Sequence, residues 1–311
     1  MHSRIVGTGS YLPTRILTNA ELARSVDTSD EWIRSMTGIA QRHIAGDHES
    51  TTDMAAAAAN RALDAAGMRA DSIDLIIVAT ISPDLVFPTT AAMVQSRIGA
   101  RTVGCFDLSA ACSGFLFGLA MADGMIASGK CRSALVVGAE RMSKLLDWSE
   151  RSTCVLFGDG AGAAVLVSSD APGIRTTSLH TDGSTPDVLR TPAKHSPYLH
   201  MDGGAVFKFA VRSLADGGLE ALRTNDMTSA DVDWLIPHQA NLRIIEASAR
   251  KLQIGAERVV VSVDRHANTS AASIPLALDE AVRDNRIKVG DTVLLLSVGG
   301  GFTWASCMLQ W

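Results

Sequence analysis

Hydrophobic residues along this chain fall into two spacings that take turns. Runs such as IDLIIVATI (73–81), SALVVGA (133–139) and AGAAVLVS (161–168) are short and almost wholly apolar, the pattern of strands in a parallel sheet covered by helices. STTDMAAAAANRALDAAG (50–67) instead spaces its polar residues at a helical period. In order, the first half predicts a strand at RIVGTGS (4–10), the 50–67 helix, the 73–81 strand, a helix at TTAAMVQSRIG (89–99) and a strand at TVGCFDL (102–108). A helix beginning at Cys112 and the strands at 133–139 and 161–168 complete it.

From Gly173 the order recurs. The second half predicts a strand at GIRTTSLH (173–180), a helix at AVFKFAVRSLADGGLEAL (205–222), a strand at VDWLIPH (232–238) and a helix at NLRIIEASARKL (241–252). A strand at RVVVSV (258–263), a helix from about Ser270, and strands at TVLLLSV (292–298) and TWASCMLQW (303–311) follow. Two βα halves, 1–171 and 172–311, are therefore expected to form a layered α/β body with pseudo-twofold symmetry, the third helix of each copy near the axis.

The superposition of halves has a chemical consequence. Between Cys112 and Ile126 the one charged residue is Asp123, so this helix is apolar on nearly every side and expected to be buried. Cys112 opens it, and Asn268 stands just before its counterpart in the second half. His238 follows a strand end there, where loops over an α/β sheet carry function. A helix N-terminus lowers a thiol pKa, an imidazole takes a proton or stabilises a thiolate, and an amide donates hydrogen bonds without titrating. Taken singly, each residue has a plainer reading: core packing for the cysteine, a loop histidine, a capping asparagine. The order of the halves is what gathers them. His266, two residues from Asn268, competes with His238 for the histidine role.

Composition narrows the field. With 311 residues and 47% hydrophobic content the chain has enough apolar surface for a large core, and a net charge of −5 offers nucleic acid no general attraction. Five scattered cysteines, none in a CxxC pair, indicate neither a disulfide framework nor a zinc ribbon, and point to a reducing cytoplasm. No signal peptide or membrane span is expected. No metal site is expected either, because His43 with His48 and His195 with His200 lack a helical HExxH setting or a cysteine cluster. Neither FGDGAGAAVLV nor GTGSYLP has the context of a nucleotide loop, and the three glycines of LLLSVGGGFTWAS suit either a turn or a backbone that meets a substrate closely.

Together ACSGF, IPHQANLR, NTSAASIPLAL and GGGFTW, in this order, resemble the β-ketoacyl-acyl-carrier-protein synthase III branch of the thiolase-like condensing enzymes. The resemblance runs over essentially the whole chain and includes DEWIRSMTGIAQRH, FPTTAA and ERSTCVLFGDGAGAAVL. It implies a homodimer with a five-layered αβαβα fold that condenses an acyl-CoA primer with malonyl-acyl carrier protein to initiate fatty acid synthesis, without metal or redox cofactor. Cys112 would carry the acyl group, His238 and Asn268 would hold the malonyl thioester carbonyl, and the N–H groups of Cys112 and Gly300 would form the oxyanion hole.

By the same matching, Trp32 and Arg151 resemble the pair on the CoA adenine, and Phe207 and Asn241 resemble residues along the pantetheine channel. Arg243 and Lys208 resemble a carrier-protein contact, and Phe87 resembles a residue that closes the partner's acyl pocket. Ile81, Met142 and Phe157 would line the acyl pocket. Two departures bear on substrate handling: Met36 stands where many relatives have Arg, and Val298 where an aromatic is frequent. The alternatives are a relative serving secondary metabolism, an acyltransferase without elongation, and, more remotely, a papain-like cysteine hydrolase.

Overall fold

The computed structural model describes residues 2–171 and 173–311; the junction expected between the two halves falls on Pro172, outside the described residues. In chain order the first half contributes strand β1 (His2–Tyr11), helix α1 (Asp30–Thr37), helix α2 (Thr51–Ala66), strand β2 (Leu75–Ala79) and helix α3 (Thr90–Arg97). Strand β3 (Gly104–Leu108), helix α4 (Gly114–Ala127) and strands β4 (Ser133–Arg141) and β5 (Asp159–Ser169) complete it. The second half contributes β6 (Ile174–Thr181), α5 (Gly203–Thr224), β7 (Trp234–Pro237), α6 (Leu242–Lys251), α7 (Ser273–Arg283), β8 (Thr292–Gly299) and β9 (Thr303–Gln310).

Each half builds one large sheet and a short two-stranded ribbon, and the two large sheets have the same order. The first runs β1-β5-β4-β2-β3 and the second β6-β9-β8-β7. The outer two pairings of each are antiparallel, β1 with β5 and β5 with β4, then β6 with β9 and β9 with β8. The next is parallel in both, β4 with β2 and β8 with β7. The difference lies at one edge. RVVVSV does not form the expected strand: residues 258–263 reach the second sheet only through a bridge between Leu235 and Val259 and the bond from Val260 N to Leu235 O, after which the chain turns helical at Val263. The Gln239 carboxamide takes the N–H groups of Ser262 and Val263 on its oxygen, diverting the donors a ladder would have needed.

Five layers result. Helix α2 covers β1, β4 and β5 from outside, α4 and α7 lie between the sheets, and α5 covers β8 and β9. Position along the chain explains each layer's composition. Helix α4 must face both sheets, so Phe115, Leu116, Leu119 and Ile126 are buried on different sides of it, each worth roughly 1.5–3 kcal/mol relative to exposure. Helix α2 has one inner face, made mostly of alanines, and starts with a capping box in which Ser50 and Asp53 satisfy each other's backbone N–H groups. Its small residues let it lie directly on β1, where a side chain at Gly9 would strike the backbone of Ala62. Among the described residues no helix is long and apolar enough to cross a membrane.

Candidate active site

Cys112 sits between the sheets, but not in the α-helix proper. Residues 111–113 form a 3₁₀ turn that leads into α4 at Gly114, and Ala111 before the thiol holds φ at 48°. That strained backbone turns the sulfur out of the helix and into open space. Two cavities meet there. One, about 470 Å³, is lined by Trp32, Met36, Phe207, Lys208, His238, Asn241, Arg243 and Asn268. The other, about 660 Å³, is lined by Ile81, Leu85, Met142, Leu189, Ser270 and Gly300. Cys112 and Phe157 belong to both walls.

The second half supplies the opposing groups. His238 leaves the end of β7, fixed by its own N–H on Leu296 O at 2.7 Å, and its buried Nδ1 has no partner. Burial pushes its pKa down to about 3, so the ring is neutral at physiological pH. Asn268 is held at both ends of its backbone: its N–H donates to Leu156 O and its C=O accepts from Gly158 N. The N–H of Ser270 donates to its side-chain oxygen at 2.9 Å, leaving the amide NH₂ as the end available to the cavity. The structure thus brings Cys112, His238 and Asn268 to one wall. His266 lines neither cavity; it packs edge-on against His43 with Nε2 3.4 Å from Glu280.

The thiol departs from the expectation of an acidified helix-end cysteine. Burial pushes it up to about 12, a hydrogen bond from Ser270 pulls the other way, and the Glu140 carboxylate adds to the rise. The resting group is therefore SH, and forming the thiolate needs a proton acceptor. Of the three glycines at 299–301, Gly299 rather than Gly300 abuts its backbone: a Cβ there would fall 2.7 Å from Cys112 N and 3.1 Å from Ala111 Cβ. Gly300 lies one residue further, in the wall of the second cavity against Leu189.

At the outer end of the first cavity, the Arg151 guanidinium stacks 4.9 Å from the Trp32 ring and donates to Asp27 O. Arg243 lies 5.5 Å over Phe207. Asn241 lines the channel, but its carboxamide is engaged, accepting from Arg243 N and donating to Met36 O. It clamps α6 to α1, and the Met36 sulfur sits 3.9 Å from Arg243. Ile81, Met142 and Phe157 line the second cavity; Phe87 does not, standing 83% exposed beside Val86 at 94%.

Two groups at the thiol escaped the sequence reading. Glu140 lies one residue past the expected strand at 133–139 and Ser270 at the expected helix start, yet both act on the thiol. A charged residue directly after an apolar run, SALVVGAE, was the available signal.

Comparison with known proteins follows the geometry. Residues 106–183 match the model of the 3-oxoacyl-[acyl-carrier-protein] synthase III family, and residues 222–311 that of its C-terminal part. The chain is 56% identical to the β-ketoacyl-[acyl-carrier-protein] synthase III of Acidiphilium cryptum, with 98% of both chains covered. Among solved structures it is similar to 3-oxoacyl-[acyl-carrier-protein] synthase III from Aquifex aeolicus, at a TM-score of 0.97 and 46% identity over 99% of this chain and 100% of that one. It is also similar to the priming β-ketosynthase of the R1128 polyketide pathway, at 0.95 and 38% over 99% and 96%.

Proposed function

This chain belongs to the β-ketoacyl-[acyl-carrier-protein] synthase III family and is an acyl-transferring condensing enzyme with the thiolase-like fold; on that premise we propose how its own residues divide the work. Cys112 takes the acyl group of an acyl-CoA as a thioester, and the N–H groups of Cys112 and Gly300 meet the oxyanion that forms as the sulfur adds to the carbonyl. CoA leaves through the first cavity, where Trp32 and Arg151 receive the adenine and Phe207 and Asn241 flank the pantetheine arm. Malonyl-acyl carrier protein then enters by the same channel, its acidic carrier meeting Lys208 and Arg243.

Neutral His238 donates from Nε2, and Asn268 from its amide, to the malonyl thioester oxygen. Charge moves onto that oxygen as carbon dioxide leaves, so fixed donors stabilise the transition state more than the ground state. The carbanion attacks acyl-Cys112, a carbon–carbon bond forms, and the Cys112 thiolate is expelled. No electron changes hands, so these steps invoke no redox cofactor, and donors replace a metal at the oxygens. The observation that carries this reading is the position of Cys112 in the shared wall of two cavities, one with His238 and Asn268 and one apolar enough for an acyl chain.

A homodimer completes the proposal. Among the described residues strand β3 pairs only with β2, leaving one edge open with Phe106 39% exposed, and Leu85, Val86 and Phe87 are exposed nearby. A second copy joined at that edge would cover them and close the second cavity. We read residues 1–171 and 172–311 as the two halves of the fold, and a reducing cytoplasm as the setting in which five free thiols persist.

The similarity to a polyketide priming enzyme favours one second reading, that the condensation primes a secondary metabolite. Intact-mass measurement after incubation with acetyl-, branched- and medium-chain acyl-CoAs, followed by a malonyl-carrier-protein chase, tests both. Labelling of Cys112 that the chase converts to β-ketoacyl product is expected, and the best primer chooses between the readings. Labelling without carbon–carbon bond formation would refute elongation.

A further inference from the structure

A buried carboxylate lies close to the nucleophile. Glu140, at the end of β4, is fully buried and meets no cationic side chain among the described residues. Its oxygens instead accept from Ser82 Oγ at 2.5 Å, Ile81 N at 3.1 Å, Thr80 Oγ1 at 3.2 Å, Ser270 Oγ at 3.0 Å and the Ala271 backbone N–H. Arg141, next in the chain, turns its guanidinium to the carbonyls of Ala45 and Gly46, and Asp84 is tied to Thr51 and Thr52. The titratable group that Glu140 acts on is Cys112 itself, which shares the first cavity with His238.

Ser270 connects the two. Its hydroxyl donates to Glu140 at 3.0 Å, and it shares the wall of the second cavity with Cys112, whose thiolate it stabilises. Ser270 is held with φ at 49°, an uncommon backbone for a serine, by a turn that also orients Asn268. A hydroxyl rotates about its C–O bond, so Ser270 can turn between Glu140 and the Cys112 side of the cavity.

We propose that Glu140 is the proton store for the nucleophile: it receives the Cys112 proton through the Ser270 hydroxyl when the thiolate forms, and returns it at the end of the cycle. The S–H bond breaks and the proton passes to Ser270 Oγ as the serine's own proton moves to a Glu140 oxygen, so the negative charge moves from carboxylate to sulfur. The thiolate then attacks the thioester, and CoA departs as a thiolate that takes a proton from water. Condensation later expels the Cys112 thiolate, which recovers the stored proton by the same path. Ser270 touches the reacting sulfur; Glu140 acts through it as a positioning residue.

Basicity agrees with this assignment. Burial pushes Glu140 up to about 7, whereas burial holds His238 down to about 3, so the carboxylate is the stronger base of the two groups flanking the thiol. The proposal rests on Cys112 being the acyl carrier, and the test separates the two ideas.

In the full-length protein, acylation of Cys112 by acetyl-CoA and its alkylation by iodoacetamide are followed by intact mass across pH, in the wild type and in Glu140→Gln, Glu140→Asp and Ser270→Ala. The wild-type rates are expected to rise through about pH 7 as Glu140 ionises. Ser270→Ala and Glu140→Gln lose that rise and react about tenfold slower or more at pH 7, while Glu140→Asp retains part of it. A charge effect alone predicts the opposite for Glu140→Gln, because removing a neighbouring negative charge makes the thiol more acidic and faster. Wild-type or faster labelling of Ser270→Ala with the pH rise intact overturns the proposal. Ser270→Ala decides alone if Glu140→Gln does not fold, since it removes one hydroxyl and leaves the other donors to Glu140. Failure of acetyl-CoA and longer acyl-CoAs to label wild type, with the iodoacetamide pattern as expected, rejects the acyl-carrier role and leaves the relay standing.

Discussion

The imidazole of His238 stays neutral above about pH 3 because it is buried without a carboxylate partner, and that makes it a donor rather than an acid. A neutral ring offers one N–H. With Nδ1 sealed in the protein, Nε2 is the nitrogen placed to use it. Removing one such donor costs about 10²–10³ in rate where charge develops on a substrate oxygen. His238→Ala and Asn268→Ala are therefore each expected to lower malonyl decarboxylation by about that factor. His266→Ala, facing Glu280 away from both cavities, is expected to leave decarboxylation within about twofold of wild type. Carbon dioxide release with malonyl-carrier protein measures this, and an equal loss in His266→Ala would reverse the assignment.

Elements rather than residues set the position of the sulfur. The turn at 111–113 is pressed between the end of β8 and the turn at 270–272, so Gly299 has no room for a side chain. Gly299→Ala would push its Cβ into Cys112 N, displacing the N–H proposed for the oxyanion. Acylation is expected to fall about 10²-fold, while alkylation by iodoacetamide, which needs no oxyanion hole, changes less than about threefold. Equal losses in both reactions would mean that the variant disturbs the thiol itself. The same packing explains why two neighbouring residues hold positive φ: Ala111 and Ser270 each begin a 3₁₀ turn that must aim one side chain across the sheet interface before its helix starts.

For the whole molecule, three buried groups make opposing contributions to stability against pH, with Asp159, also raised by burial, adding to the side of Glu140. His238 and His266 refuse protons in the folded state down to about 3, while the unfolded chain takes them near 6.5, so acidification below 6.5 removes stability. Glu140 opposes this, because the folded state keeps a proton up to about 7 that the unfolded chain releases near 4.5. Between pH 4.5 and 6.5 two histidines pull one way and one carboxyl the other, leaving a net loss of about 1.4 kcal/mol per pH unit on acidification from these groups. Urea midpoints across this range measure it, and His266→Asn is expected to reduce the slope by about one proton. An unchanged slope in that variant would show that His266 titrates normally in the folded state. Assembly is the other property at this scale: the uncovered Val86 and Phe87 beside the open edge of β3 predict a light-scattering mass of two chains, and a monomer at micromolar concentration would contradict it.

Much of this was legible without coordinates. The alternation of apolar runs and helical periods located both sheets and their covering helices, because burial on a given layer demands a given spacing whatever the neighbours are. It also aligned Cys112 with Asn268 across the two halves, while the choice of His238 over His266 came from the resemblance carried by IPHQANLR. RVVVSV misled because β-branched residues suit a strand anywhere, and whether one forms depends on a free edge and on donors that Gln239 had already taken. The state of the thiol was likewise beyond the sequence. Helix position argues for an acidic cysteine, but desolvation is set by everything that surrounds it, and here it pushes the pKa to about 12. Glu140 and Ser270 stand 130 residues apart and meet only because the end of β4 packs against the turn before α7 between the sheets. Spacing along a chain fixes which face of an element a side chain takes; which faces touch, and what charge survives between them, follows from the layers once they close.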